Sequence, residues 1–293
     1  MTKNSVCAVV VTYHPSIRDI DNLMEVRPQV ETIVVVDNGS STESISRLRS
    51  TGQALNVVLI ENGANLGIAT ALNIGIRYAI AQRHEWVILF DQDSRVTDGF
   101  VQGMLDDFAS CGGARHIMQI IPRYQDPVTG DEEITALHKD GGPFITRTSG
   151  SLFPSRVFQQ CGYFKEELFI YCVDDEYSLR LRSLGFSITK SRSAVLLHSA
   201  GSPSRVRFLG RTFVARNYRP EIQYYWARNR VWLMRQYGLH YPGVVLYSSF
   251  RSLLGVPLKI MVGEKDRLSK LWFFYKGVLD GLIGRMGFRV SLD

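Results

Sequence analysis

Two carboxylates separated by one residue, Asp91 and Asp93, follow directly on the apolar run Trp86-Val87-Ile88-Leu89-Phe90. A short apolar run rich in β-branched and aromatic residues reads as a strand buried on both faces. Open α/β sheets bind ligands just beyond the carboxyl ends of such strands. In an extended tip, residues i and i+2 point the same way, so both carboxylates can face one ligand. Their hard oxygens suit Mg²⁺ or Mn²⁺, which bind through one or two carboxylates plus substrate phosphates. For this pair alone an acidic turn capping a strand is the simpler reading. The rest of the chain changes that balance.

Two earlier apolar runs also end in polar tips, Thr12-Tyr13 and Asp37-Asn38-Gly39-Ser40. With Asp91-Gln92-Asp93 they make three tips that, once aligned, form one pocket. The alternative for the second tip is an Asx turn followed by a helix cap. Further on, Leu168-Phe169-Ile170-Tyr171-Cys172-Val173 meets three consecutive acids, Asp174-Asp175-Glu176, and then a basic amphipathic helix. Acids complement a helix N-terminus, but capping needs only one or two. Crowded carboxylates repel, which raises the pKa of one and makes it a candidate base. His198 ends another strand-like run. A lone histidine is more often structural than a ligand, although its place after the acidic site narrows the difference.

The elements that must position these groups alternate. Strands are expected at 6–13, 32–37, 57–60 and from 86, with helices at 19–29, 42–51 and 68–81 between them. That alternation implies right-handed crossovers and a mostly parallel sheet flanked by helices. Neither a Gly-x-Gly-x-x-Gly after the first strand nor a Walker sequence is present, which disfavours an ordinary dinucleotide fold and a P-loop enzyme. Past Asp93 the pattern becomes irregular: a helix over 100–109, a strand over 117–121, a polar loop or hairpin over 126–140, a short helix from Val157 and a strand over 188–198.

The chain has 293 residues, 45% of them hydrophobic and 21% charged, as in a globular protein. A net charge of +6 suits phosphorylated ligands, anionic lipid or nucleic acid without choosing among them. Four scattered cysteines, Cys7, Cys111, Cys161 and Cys172, lack any Cys-x-x-Cys pair and read as free thiols of a reducing cytosol. No signal peptide is expected, and the longest apolar candidate for a membrane span, 241–262, contains Arg251, Lys259 and Pro257.

Six motifs in order carry a resemblance: Val-Val-Thr-Tyr, Val-Asp-Asn-Gly-Ser, the run Asn65, Gly67, Ala69, Ala71, Asn73, Gly75, then Asp-Gln-Asp-Ser, Val-Asp-x-Glu at 173–176, and Arg228-Asn229. Over about residues 5–235 the chain resembles the inverting family 2 glycosyltransferases, and within them bacterial rhamnosyltransferases of surface polysaccharide (O-antigen-like) synthesis. Lys276 to Gly281 also looks like the tail of that group. The resemblance implies an α/β GT-A fold, Rossmann-like, with a catalytic domain over 1–235. Its nucleotide-sugar half would cover about 1–110 and its acceptor half about 111–235, followed by a C-terminal helical region over 236–293.

The same resemblance implies roles. Thr12 and Asp37 would contact the base, flanked by Tyr13, Asn38 and Gln92, with Asn65, Gly67 and Asn73 lining the nucleotide pocket. Asp91 would meet the ribose, and Asp93 a divalent metal (Mg²⁺ or Mn²⁺) that His198 completes. Asp174 aligns with the catalytic base, and Asp175 competes for that role; Val173 stands where many relatives carry Glu. Gly150, Glu176, Arg180 and Arg228 fall on the acceptor side or behind it. Glu176 and Arg180 also have the spacing of a plain helix-surface pair. The donor implied is dTDP-L-rhamnose and the acceptor a lipid-linked saccharide.

Arg205, Arg207 and Arg211 after Gly201-Ser202-Pro203 read as a mobile basic loop or a solvated face. Tyr224-Tyr225-Trp226 suits sugar stacking or core packing. The 268–288 stretch has a dense apolar helical face flanked by Lys270, Lys276, Arg285 and Arg289. Basic amphipathic helices suggest docking at the inner face of the cell membrane, with a packed helical subdomain or a homodimer interface as alternatives. Rival functions are galactofuranose or glucose transfer from a UDP donor, and a catalytically silent nucleotide-sugar binder. No recognised motif supports nucleic acid as a partner.

Overall fold

Alternating buried strands and amphipathic helices assemble into an α/β fold. The computed structural model describes residues 5–112, 115–126, 130–133, 136–197, 204–208, 211–215 and 217–292. Two compact units emerge, one of residues 1–165 with 177–199, the other of 166–176 with 200–293.

In the first unit, β1 (Val6–Thr12), β2 (Thr32–Asp37), β3 (Val58–Glu61) and β4 (Trp86–Asp91) alternate with α1 (Ile17–Val26), α2 (Thr42–Leu55) and α3 (Ile68–Ala81). β1 is buried along its whole length, as a continuous run of Val, Cys and Ala requires. β5 (Arg95–Val96), α4 (Phe100–Ser110), β6 (Ile117–Gln125), β7 (Leu152–Pro154), α5 (Arg156–Cys161), α6 (Val173–Ser183) and β8 (Ser187–Leu197) follow, the boundary between the units falling inside α6.

The strands form one sheet in the order β3-β2-β1-β4-β7-β6-β8-β5. β1 pairs in parallel with β2 and β4, β2 with β3, and β6 with β8, whereas β7 runs antiparallel to both β4 and β6. The chain winds outward from β1 to β3 and then returns across β1 to β4. A topological switch point therefore lies between β1 and β4, where open sheets leave a ligand crevice. The expected mostly parallel sheet flanked by helices is the observed architecture.

α3 lies close on β1. A Cβ on Gly75 would stand 2.3 Å from Cγ1 of Val9, so only glycine allows this approach of helix to sheet.

The second unit holds β9 (Ser204–Phe208) and β10 (Arg211–Ala215), an antiparallel pair, then α7 (Pro220–Tyr237), α8 (Ser248–Gly263) and α9 (Arg267–Ile283). α7 and α9 pack tightly: a Cβ on Gly277 would lie 2.3 Å from the Tyr224 carbonyl oxygen. Of the aromatic run on α7, Tyr224 and Tyr225 are core. Both are fully buried, and their hydroxyls donate to Asp280 and to the Val290 carbonyl at 2.7 Å. One continuous helical stretch, Pro242–Gly263, is long and apolar enough to cross a membrane by length and composition alone. Arg251 and Lys259 lie within it.

Candidate active site

The polar tips of β1, β2 and β4 are joined by hydrogen bonds. Thr12 stands in register with Asp37, and Val11 with Asp91, so the tips end almost level. Asp37 is buried, and its carboxylate accepts from four donors. These are Thr12 Oγ1 at 3.0 Å, the Gly39 and Ser40 amides at 3.1 and 2.9 Å, and Ser40 Oγ at 2.5 Å. The Asx turn is thus real, and it also ties two tips together. Asn38 Oδ1 accepts from Asn62 Nδ2 and the Leu66 amide, both at 3.1 Å, and its Nδ2 donates to Asn65 Oδ1 at 2.9 Å. Asn65 Oδ1 in turn accepts from the Gly67 amide at the start of α3. Gln92 accepts from the Tyr13 amide at 2.8 Å, closing the network onto β4. Thr12, Tyr13, Asp37, Asn38, Asn65, Gly67, Asp91, Gln92 and Asp93 therefore gather at one end of the sheet.

Asp91 ends β4, and Asp93 lies on the turn that follows and not on an extended tip, since the Ser94 amide donates back to the Asp91 carbonyl at 3.1 Å. The two carboxylates still interact. Burial, then the charge of Asp93, push the Asp91 carboxyl up to about 6, against the opposing pull of Arg147. Asp93 itself is exposed. Ser149 braces this turn from the neighbouring loop: its hydroxyl lies 2.5 Å from that of Ser94 and accepts from the Asp91 amide at 3.3 Å. Ser149 and Arg147 were not expected at the site. Only the polarity of Thr148-Ser149-Gly150-Ser151 hinted at them, because the β4–β7 pairing that delivers them is non-local.

Asn73 and Gly150 do other work. Asn73 is 0% exposed, and its amide donates to the Phe164 carbonyl at 2.9 Å while accepting from the Phe164 amide at 3.0 Å. Gly150, at φ +75°, donates its amide to the Leu89 carbonyl at 2.7 Å. Arg180 donates to the Cys161 and Tyr163 carbonyls at 2.9 and 2.8 Å and lies over the Tyr177 ring.

In the second unit the acids sit on the first turn of α6. Asp174 Oδ1 accepts from the Asp175 amide at 3.0 Å. Asp175 pairs with Arg230 at 3.4 Å. Burial opposes the charge on Arg230, but Cys172, Asp175 and Asp174 more than offset it and raise its pKa. Glu176 is buried and accepts from the Tyr237 hydroxyl at 2.9 Å. The approach to these acids is strained: Phe169, Tyr171 and Cys172 take φ of 63°, 65° and 59°. Such left-handed non-glycine residues cost roughly 1–3 kcal/mol each and persist only where the surroundings hold them.

Arg228 and Asn229 supply that hold. Asn229 Nδ2 lies 2.8 Å from the carbonyl oxygens of Leu168, Ile170 and Tyr171. Arg228, 0% exposed, donates to the Leu168, Glu167 and Gly287 carbonyls. Arg228 and its neighbour Asn229 thus both hold this loop in place. The nearby Cys172 is buried, and burial, then Asp175, push its thiol well above the usual range. His198 lies outside the described residues.

An oxygen-ligated divalent cation fits the first cluster. Asp93 presents an exposed carboxylate with Asp91 behind it. Among the described residues no three His, Cys, Asp or Glu side chains form a complete metal cage. Mg²⁺ and Mn²⁺ sites of this kind take their remaining ligands from substrate phosphate and water.

Comparison with known proteins agrees with this geometry. Residues 9–169 match the family model described as Glycosyl transferase family 2. The chain is 31% identical over 301 residues to the dTDP-rhamnosyl transferase RfbF of Shigella flexneri, covering 97% of both chains. It is 26% identical to the galactofuranosyltransferase GlfT1 of Mycobacterium tuberculosis, covering 80% of this chain and 84% of that one. Among solved structures, the mannosyltransferase PcManGT of Pyrobaculum calidifontis, in complex with GDP-Man and Mn²⁺, superposes with a TM-score of 0.59 at 14% identity, covering 96% of this chain and 87% of that one. With a family match over more than half its length and a full-length relative above 30% identity, the chain belongs to glycosyl transferase family 2 and is a GT-A glycosyltransferase.

Proposed function

We propose that this glycosyltransferase moves L-rhamnose from dTDP-L-rhamnose to a hydroxyl of a lipid-linked saccharide, with inversion at the anomeric carbon. The observation that carries the reading is the Asp93 carboxylate, exposed on the turn after β4 at the switch point of the sheet. The likeness to a dTDP-rhamnosyl transferase supports the choice of sugar.

Thr12, Tyr13, Asp37, Asn38, Asn65, Gly67 and Gln92 form the wall for the nucleoside, and Asp91 takes the ribose. Asp93 would hold Mg²⁺ or Mn²⁺, with His198 as the further ligand that the resemblance implies. When bound, such a cation neutralises charge on the diphosphate. Asp174 takes the proton from the acceptor hydroxyl, a role worth about a hundred- to ten-thousand-fold. The acceptor oxygen bonds to the anomeric carbon as the bond from that carbon to the diphosphate oxygen breaks. Asp175, Glu176 and Arg228 hold the base in place, the first two through Arg230 and Tyr237. A second reading, transfer of galactofuranose from a UDP donor, is favoured by the likeness to a galactofuranosyltransferase.

The enzyme works at the inner face of the cell membrane as a peripheral protein. Tyr247, Phe250, Leu254, Leu258 and Met261 are exposed on α8 and its lead-in at helical spacing. Leu268, Trp272, Tyr275, Leu279 and Leu282 repeat the pattern on α9. Residues 239–293 carry eight Lys or Arg against four Asp or Glu. Exposed aromatic and aliphatic stripes with basic flanks suit an anionic lipid surface.

The test is a donor panel of dTDP-rhamnose, UDP-galactofuranose and UDP-glucose with membrane extract as acceptor source. Release of dTDP that needs both extract and divalent metal, and that Asp93→Ala abolishes, is the expected result. Preferential use of UDP-galactofuranose would transfer the reading to the second sugar. Flotation with anionic vesicles checks the membrane contact.

A further inference from the structure

The amino ends of β4, β6 and β8 lie at one end of the sheet, because β7 runs antiparallel to both β4 and β6 and β6 runs parallel to β8. The polar tips stand at the other end. Trp86 and Asp91 are separated by the length of β4, about 17 Å at the usual rise of a strand. A pocket of about 690 Å³ opens at this far end. It is lined by Phe108 of α4, Gln160 of α5, Phe186 just before β8, and the basic residues Arg115, His116 and Arg156. Among the described residues no acid lines it.

The basic residues are not spent on the fold. Arg156 opens α5 and is half-buried. A guanidinium carries several N–H donors. Here Nη2 donates to the Ile117 carbonyl at 3.4 Å, and the buried Nε has no partner among the described residues. Burial, then the charge of Arg115, lower the Arg156 pKa, so the two guanidiniums are close enough to repel. Neither Arg115 nor His116 has a side-chain hydrogen bond or ion pair among the described residues. Other arginines of this unit are committed: Arg180 donates to the Cys161 and Tyr163 carbonyls, and Arg182 pairs with Asp140.

We propose that this pocket is a second nucleotide site, remote from the catalytic cleft, that takes a nucleoside diphosphate. Its phosphate oxygens accept charge-assisted hydrogen bonds from Arg115 and Arg156 and neutralise their mutual repulsion. Phe108 and Phe186 offer the base an aromatic wall, from which a bare phosphate gains nothing. The volume agrees, since pockets for ligands of this size run to about 300–1,000 Å³ and inorganic phosphate would leave most of the space unused. No residue of this pocket belongs to the donor or acceptor readings, so the site stands or falls apart from them.

The test uses the full chain in EDTA, with calorimetric titration of ADP, inorganic phosphate and adenosine. ADP is expected to bind at least tenfold more tightly than either of the others. Arg115→Gln with Arg156→Gln weakens it at least tenfold, with an unchanged thermal midpoint. Gln160→Trp, which fills the pocket from an exposed position without touching its charge, weakens it as well. Phosphate binding as tight as that of ADP overturns the proposal and leaves a site for inorganic anions alone. ADP affinity that survives the double variant but is lost in Asp91→Asn overturns it too and gives the nucleotide to the cleft. Absence of ADP binding in the native protein overturns it outright.

Discussion

The amide nitrogen of Asn229 lies 2.8 Å from the carbonyl oxygen of Tyr171, 58 positions away in the chain, and at the same distance from those of Leu168 and Ile170. One buried side chain thus holds three carbonyls of a loop whose residues take left-handed angles just before Asp174.

Replacing Asn229 by alanine removes those donors and leaves buried carbonyls unpaired, at a cost of roughly 1–3 kcal/mol. The loop relaxes and Asp174 loses its aim. Sugar transfer should fall at least tenfold, while dTDP binding, measured by titration, stays within about twofold of the native protein. Asn229→Asp should be worse, since a carboxylate cannot donate and repels the same oxygens. Full transfer activity in either variant would remove the positioning role.

Asp174 and Asp175 are adjacent, and their substitutions should separate. Asp174→Asn removes the proposed base and should lower kcat by about a hundred- to ten-thousand-fold, with little change in donor KM. Asp175→Asn breaks the pair with Arg230. It should cost roughly 1–3 kcal/mol of stability and reduce turnover less than Asp174→Asn does. Steady-state kinetics and urea unfolding on both variants check this; the opposite pattern would make Asp175 the base.

The first unit carries a pH-dependent clamp. Burial disfavours the charge on Asp140, but the Ser187 hydroxyl, the Gly142 amide and Arg182 outweigh it and hold its carboxyl well below the usual range. A group whose folded pKa lies below its unfolded value stabilises the fold above the unfolded value, about 3.9. That contribution is lost as pH falls through the lower folded value. The urea midpoint of Asp140→Asn should therefore trail the native one clearly at pH 6, and the gap should shrink steadily below about pH 4. A gap that is constant with pH would exclude the ionic origin.

Gly75→Ala should destabilise by about 1–3 kcal/mol, because the new methyl meets Val9 at 2.3 Å in a core that cannot expand cheaply. A paired Val9→Ala change should recover part of the loss in thermal unfolding. An unchanged midpoint in the single variant would mean that α3 shifts freely on the sheet.

Repeating patterns along the chain determined the first half of the sheet. The buried runs of β1, β2 and β4 and the helix over Ile68–Ala81 follow from hydrophobic periodicity, which needs only neighbouring residues. The polar tips were legible for the same reason, since a strand that ends in Asp or Thr announces its carboxyl end. Tertiary structure decided what periodicity cannot carry. Asp91, at the end of β4 and the start of the turn that carries Asp93, is braced by Ser149, delivered from 58 positions away. Asn73 meets Phe164 across 91 positions, and Arg228 reaches carbonyls 60 positions back. Each of these side chains has its partner chosen by strand order and helix packing, and no local pattern in the sequence encodes which distant carbonyl a buried donor will find.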